Sequence, residues 1–182
     1  DHILFLIALL FAGQTLSSNQ NRPKPPWTET LKIRSVDILK TVTAFTVAHS
    51  ITLILGTLGV ISLPGILVET IIALSVAISG ANVIFHFLDR IRWWFIFGFG
   101  LIHGLGFASV LGDLLTSQGV RLSSLLGFNI GVEIGQLCIV AAALPVIVLL
   151  ERRDKLNVAV TTCVGIGIGL TGLYWAVSRA LL

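Results

Sequence analysis

Apolar and polar stretches alternate along the chain, giving six apolar segments at residues 1–16, 36–60, 65–88, 93–111, 122–150 and 156–182. Runs of about 20 apolar residues have the length of a membrane-crossing helix. The pattern therefore predicts an all-α fold, a polytopic integral membrane protein built as a bundle of six transmembrane helices in one domain over residues 1–182. The first segment is short: residues 1–16 rise roughly 24 Å, against a hydrocarbon core of roughly 30 Å. It is expected to be the inner part of a longer helix whose beginning is missing or was removed, which puts Asp1 and His2 within the membrane.

The polar stretch 17–35 carries Pro23, Pro25 and Pro26 and is expected to be a surface linker, with Trp27 as an interfacial anchor. Ser35 is placed to cap the second helix, with Asp37 in its first turn where the helix dipole favours an acid. A turn at Leu63-Pro64-Gly65 leads into the third segment, Trp93 and Trp94 mark the boundary before the fourth, and Asp113–Ser124 is expected to be a second loop. Pro145 is a candidate kink in the fifth segment. The sixth, with Gly165, Gly167, Gly169 and Gly172, reads as a packing helix.

Against this apolar background the polar residues stand out. The run from Trp93 to Leu111 holds no acid, lysine or arginine, yet contains His103 and glycines at 98, 100, 104 and 106. Gly100 and Gly104 form a GxxxG pair, which lets a neighbouring helix approach closely in lipid. In the fifth segment Asn129, Glu133 and Gln136 are spaced i, i+4, i+7 and share one helical face. A carboxylate inside an apolar span costs a few kcal/mol and is a functional candidate by default. The fifth helix is accordingly expected to be the partner of the fourth, with the chain as a frame around His103 and Glu133.

Depth follows from the helical rise. His103 lies about 15 Å from the inner boundary and His49 about 14 Å, while Glu133 lies about 16 Å from the outer one. Asp1 and His2 fall in the outer half. Imidazoles and carboxylates from four helices at similar depth are what a divalent transition metal needs. The candidate metal ligands are Asp1, His2, His49, His103, Asn129 and Glu133. The competing structural readings are a hydrogen-bonded core histidine for His49, a structural His86 at the inner interface, and Glu69 as complement to a helix N-terminus.

Composition agrees with a membrane setting: of 182 residues 55% are hydrophobic and 12% charged, and mean hydropathy is +0.97. The net charge of +3 does not point to nucleic acid, because the basic residues sit in short connections. Ten of them (Arg22, Lys24, Lys32, Arg34, Lys40, Arg90, Arg92, Arg152, Arg153 and Lys155) fall on one side, against Arg121 and Arg179 on the other. That asymmetry predicts both termini outside, in a bacterial inner (plasma) membrane. Cys138 and Cys163 lie inside spans without CxxC spacing, so neither a disulfide nor a thiolate metal site is indicated. No phosphate-binding glycine loop is present, so transport driven by ATP is not indicated.

Four stretches, Asp1-His2-Ile3-Leu4-Phe5-Leu6, the residues 41–53 around Ala48-His49-Ser50, Phe99-Gly100-Leu101-Ile102-His103-Gly104-Leu105-Gly106-Phe107-Ala108 and Phe128-Asn129-Ile130-Gly131-Val132-Glu133-Ile134-Gly135-Gln136, resemble the HupE/UreJ family of membrane proteins. The resemblance covers the first five segments. It implies a secondary permease for nickel or cobalt associated with hydrogenase or urease maturation, with Asp1 and His2 ending a histidine-rich first-helix motif. The fourth segment departs from the double-histidine pattern of hydrogenase-linked members, having His103 alone. Asn129, then Glu69 and Asp113 toward the outer surface, set against basic inner loops, favour import of the cation over efflux.

Two other functions fit the same residues. One is an intramembrane zinc hydrolase with Glu133 as general base, although the His-Glu-x-x-His spacing is absent. The other is an accessory subunit of a larger membrane complex, with His49 and His103 as axial ligands of a haem or chlorophyll. The partners implied by the leading reading are the metal ion and the lipid bilayer, with other membrane subunits only under the last alternative.

Overall fold

The computed structural model describes residues 1–12, 26–114 and 118–181, apart from the side chains at 90, 109–122, 126 and 154. The described elements are all helical: α1 (His2–Ala12), α2 (Trp27–Thr57), α3 (Gly65–Phe85), α4 (Arg92–Leu114), α5 (Gln118–Leu150) and α6 (Asp154–Ala180), with a single 3-10 turn at Asp89–Ile91. Four of the six helices, α2, α3, α5 and α6, are long and apolar enough to cross a membrane. Their perimeter carries large exposed apolar side chains, among them Ile130, Leu149, Leu170 and Tyr174. In lipid that belt is matched by its surroundings, and a helix satisfies its interior backbone groups within itself.

Two tight helix pairs make the frame, and glycine sets both. In the α3–α6 pair, a Cβ at Gly80 would run into the Gly169 backbone, and one at Gly172 into the Ala77 backbone. The glycine-rich sixth helix is thus a packing helix, as its composition predicts. In the α2–α4 pair, a Cβ at Gly100 would come within 2.8 Å of the Phe45 carbonyl and 2.9 Å of the Ala48 Cβ. One at Gly104 would overlap the His49 carbonyl and the Thr52 hydroxyl. Thr52 Oγ1 also donates to the Leu101 carbonyl at 2.6 Å, tying the two backbones at that level. Among the described residues the fourth helix therefore packs chiefly on α2, then on α3, and only lightly on α5. Helix α5 also lies against α2, and it meets α4 through the Phe107–Phe128 ring pair. GxxxG spacing specifies a close approach but not the partner, which is why the expectation of an α4–α5 pair fails.

Helix α1 is wedged into the middle although it is only 11 residues long. Phe5, Ala8, Leu9 and Ala12 join a core with Phe45, Val76, Val83, Ile96 and Ile168. Leu6 and Leu10 face a second core formed by Ile38, Val42, Val140, Leu144, Ile147 and Val148. From Phe5 onward both faces of α1 are buried, while Ile3 is exposed and Asp1 and His2 are partly so.

Helix α2 begins nine residues earlier than the apolar segment suggests, at Trp27 directly after Pro26. Glu29 sits in its first turn, where the dipole favours an acid. Ser35 is consequently not a cap: its hydroxyl donates to the Lys32 carbonyl inside the helix. Asp37 is likewise an internal residue, and it accepts from Arg92 at 2.9 Å. Arg34 pairs with Glu151 at 2.8 Å at the same end of the bundle. These cross-helix ion pairs keep a polar stretch helical where hydropathy alone predicts a linker. The remainder of that linker, residues 17–25, and the end of the first apolar segment, 13–16, lie outside the described residues. The same holds for the 115–117 part of the expected second loop, whose other residues belong to α4 and α5. Pro145 is accommodated inside a continuous α5. His86 closes α3 in a left-handed conformation (φ 55°), its N–H bonded to the Asn82 carbonyl, while Asn82 Oδ1 accepts from Leu88 N. His86 is a structural C-cap.

Candidate metal site

Three imidazoles from three helices meet at the open end of α1. His2 begins that helix, His49 lies in the second half of α2 and His103 in the middle of α4. The glycine contact between α2 and α4 sets the last two at a common level. The His2 ring centroid is 5.0 Å from that of His49 and 4.8 Å from that of His103, with ring planes nearly perpendicular. Phe5, Phe45 and Phe107 wall the cluster, with Phe45 and Phe107 each in edge contact with His2. His49 and His103 are both 0% exposed.

The nitrogens of this cluster decide what it can do. His2 Nε2, both ring nitrogens of His49 and Nδ1 of His103 are buried with no hydrogen-bond partner among the described residues. Each buried, unmade hydrogen bond costs about 1–3 kcal/mol. A histidine kept for packing alone is normally satisfied, so this concentration at one point makes the cluster the candidate for holding an ion. Ser75 on α3 sharpens the argument. Its hydroxyl lies 2.6 Å from the Ile72 carbonyl and 2.9 Å from His103 Nε2, and when its proton goes to the carbonyl the same oxygen accepts from the imidazole. In that arrangement His103 is the Nε2–H tautomer and its Nδ1 carries the lone pair. A hydrogen bond that sets the tautomer of a ligating imidazole is a regular part of metal sites.

Spacing agrees with shared coordination. Metal–nitrogen bonds of about 2.0–2.1 Å put the centroids of two imidazoles on one ion roughly 4.5–5 Å apart. Both pairs involving His2 have this separation. The rings meet edge to face, however, and no three His, Cys, Asp or Glu side chains among the described residues already converge as a metal cage. The spacing is preset and the lone pairs are not aligned. Ring rotation within the phenylalanine walls is needed before the three nitrogens face one point.

The other sequence candidates are placed less centrally. Asp1 adjoins His2; its Oδ2 accepts from Arg179 at 2.8 Å, and its Oδ1 is buried without a partner. Glu69 does not serve its own helix N-terminus but faces Arg179, with Oε2 3.8 Å from Nε. Asn129 is buried with both amide atoms unpartnered, next in sequence to the Phe128 that touches Phe107. Glu133 is half-buried, and no hydrogen bond or ion pair joins it to the imidazoles among the described residues. Gln136 accepts from Thr46 at 3.0 Å and lines a small cavity with His2, Leu6, Leu9, Val42 and Phe45. The Asp113 side chain lies outside the described residues.

The family described as HupE / UreJ protein matches residues 1–179. The chain belongs to the HupE/UreJ family. No curated protein and no solved structure matches it. The match runs through α6, beyond the five segments that carry the resemblance in sequence. HupE/UreJ membership is associated with nickel/cobalt transport, which makes this an integral membrane protein of a metal-transporter family. Two residues of this HupE/UreJ chain that bear on the site escape sequence reasoning. Ser75 is one of many small polar residues in apolar helices, and nothing along the chain ties it to His103. Arg179 reads as a terminal topology charge, and its link to Asp1 joins opposite ends of the sequence.

Proposed function

We propose that this chain is a secondary permease that imports a divalent transition metal ion, nickel or cobalt, through the His2–His49–His103 cluster. The observation that carries the reading is the meeting of three imidazoles from three helices with their ring nitrogens buried and bare. Imidazole with carboxylate suits nickel, cobalt and zinc, and the family association favours the first two. A site whose spacing is set but whose lone pairs need reorientation binds an ion and can release it, as permeation requires.

In this account six helices span a bacterial inner membrane, with both termini outside. Glu69 and Asp1 receive the cation at the outer end, the imidazoles replace its water, and Asn129 and Glu133 complete or support the ligand set. The cavity between His2 and Gln136 is the first step inward. The absence of a phosphate-binding loop fits movement down an electrochemical gradient. The test is Ni2+ and Co2+ uptake by liposomes holding the purified protein, without nucleotide. Uptake dependent on the protein is expected, together with a strong reduction in Glu133→Gln. Unchanged uptake by a correctly inserted Glu133→Gln would remove that residue from the path.

The proposed orientation puts the α2–α3 turn outside and the α5–α6 turn inside. A cysteine at Leu63 should react with an impermeant maleimide in intact cells, and one at Arg153 only after permeabilisation. The reverse pattern would invert the topology and with it the direction of transport.

A further inference from the structure

We propose that Arg179 is an exchangeable counter-ion for Asp1, holding its carboxylate in the ion-free state and giving it up to the arriving cation. The proposal rests on the reading of the histidine cluster as a transport site, and adds to it a latch at the outer end.

The geometry at that end is specific. Arg179, in the last turn of α6, donates through Nη1 to Asp1 Oδ2 at 2.8 Å. The same nitrogen lies 3.2 Å from the Glu69 carbonyl oxygen, Nε is 3.8 Å from Glu69 Oε2, and the guanidinium sits 5.7 Å above the Trp175 ring. One side chain thereby joins the starts of α1 and α3 to the end of α6. A permanent structural pin would be expected to grip the carboxylate with two parallel bonds, the strongest form of the contact. Here the grip uses one oxygen. The other, Asp1 Oδ1, is buried and unpartnered, one residue from the His2 whose Nε2 is equally bare. Asp1 is thus engaged with arginine through one oxygen and keeps the other, buried and unpartnered, available.

Arg179 also has somewhere to go. Glu69 and Trp175 remain as partners if Asp1 leaves, so release does not strand a bare guanidinium. A dication at the cluster and the guanidinium compete for one carboxylate and repel each other, so binding favours the released state. With the ion bound, the start of α1 is no longer tied to α6. Metal occupancy thereby changes how the outer end is closed.

The experiment uses the full chain in lipid nanodiscs with Co2+ as the titrant, and Ni2+ uptake into liposomes. Arg179→Gln should bind Co2+ about twofold to fivefold more tightly, since an ion pair of this exposure competes by that order. Its maximal uptake rate should fall, because the returning arginine no longer helps to displace the ion. Arg179→Lys, which keeps the charge, should stay close to the wild type. In an Asp1→Asn background the effect of Arg179→Gln on affinity should vanish. A readout without substitution is site-resolved modification by phenylglyoxal, which should attack Arg179 several-fold faster with Co2+ bound.

If the wild type binds Co2+ but Arg179→Gln binds it no more tightly, and modification of Arg179 ignores the metal, Arg179 is a structural pin and the latch is wrong. If the folded wild type binds no Co2+ at all, the transport-site reading itself falls, and the latch with it.

Discussion

Replacing His103 with alanine is expected to lower Co2+ affinity by on the order of 100-fold or more, and His49→Ala should do the same. Ser75→Ala should cost roughly 10- to 100-fold, the range for groups that orient a ligand without touching the metal. The three substitutions act on one object in different ways. His49 and His103 supply bare nitrogens inside a phenylalanine box that offers no substitute donors. Ser75 lies 2.9 Å from His103 Nε2, where with its own proton on the Ile72 carbonyl it accepts from Nε2–H and leaves Nδ1 free. Without it the imidazole can adopt the other tautomer, and part of the population presents a proton where a lone pair is needed. Titration followed by the visible absorption of bound Co2+, with helical content checked by circular dichroism, measures all three. If Ser75→Ala binds like the wild type, the tautomer argument is wrong even should both histidines matter.

Gly104→Val is expected to destabilise the bundle by about 3 kcal/mol or more, beyond the usual range for overpacking, because what it meets includes backbone. A Cβ at this position falls on the His49 carbonyl and the Thr52 hydroxyl, neither of which can rotate away cheaply. Separating α4 from α2 also moves His103 away from His49, so metal binding should be lost together with stability. Gly131→Val is the matched control, since a Cβ there meets nothing within 4 Å. Thermal unfolding of both variants in detergent should leave Gly131→Val near the wild type and shift Gly104→Val down by many degrees. Equal shifts would mean that the α2–α4 contact is not what holds the site.

The architecture was legible in the chain for a simple reason. In lipid, length and apolarity decide which segments become helices, and both can be read residue by residue. Where that rule is silent the reading drifted. The first turns of α2 are polar, and they are helical because Arg34 and Asp37 find partners on Glu151 and Arg92 far along the sequence. Hydropathy carries no record of such pairs. Helix pairing was hidden for a related reason: Gly100 and Gly104 announce a close contact, but several apolar helices present suitable faces.

The candidate site divides in the same way. His2, His49 and His103 were brought together by depth alone, because the helical rise fixes how far each lies from a membrane boundary. Depth says nothing of rotation about the helix axis. Glu133 lies at a comparable depth and yet has no bonded link to the imidazoles, whereas Ser75, inconspicuous in sequence, is in direct contact with one of them. Arg179 shows the limit most clearly. Its role depends on a contact between the last helix and the first residue, a closure that only the folded bundle makes.

X-ray absorption at the metal edge of the Co2+- or Ni2+-loaded protein tests the central claim most directly, that the three imidazoles take up one ion together. The account predicts two or three imidazole nitrogens at about 2.0–2.1 Å with the multiple-scattering signature of the ring, diminished in His49→Ala and His103→Ala. A shell of oxygen alone, or a spectrum that neither substitution changes, would contradict it.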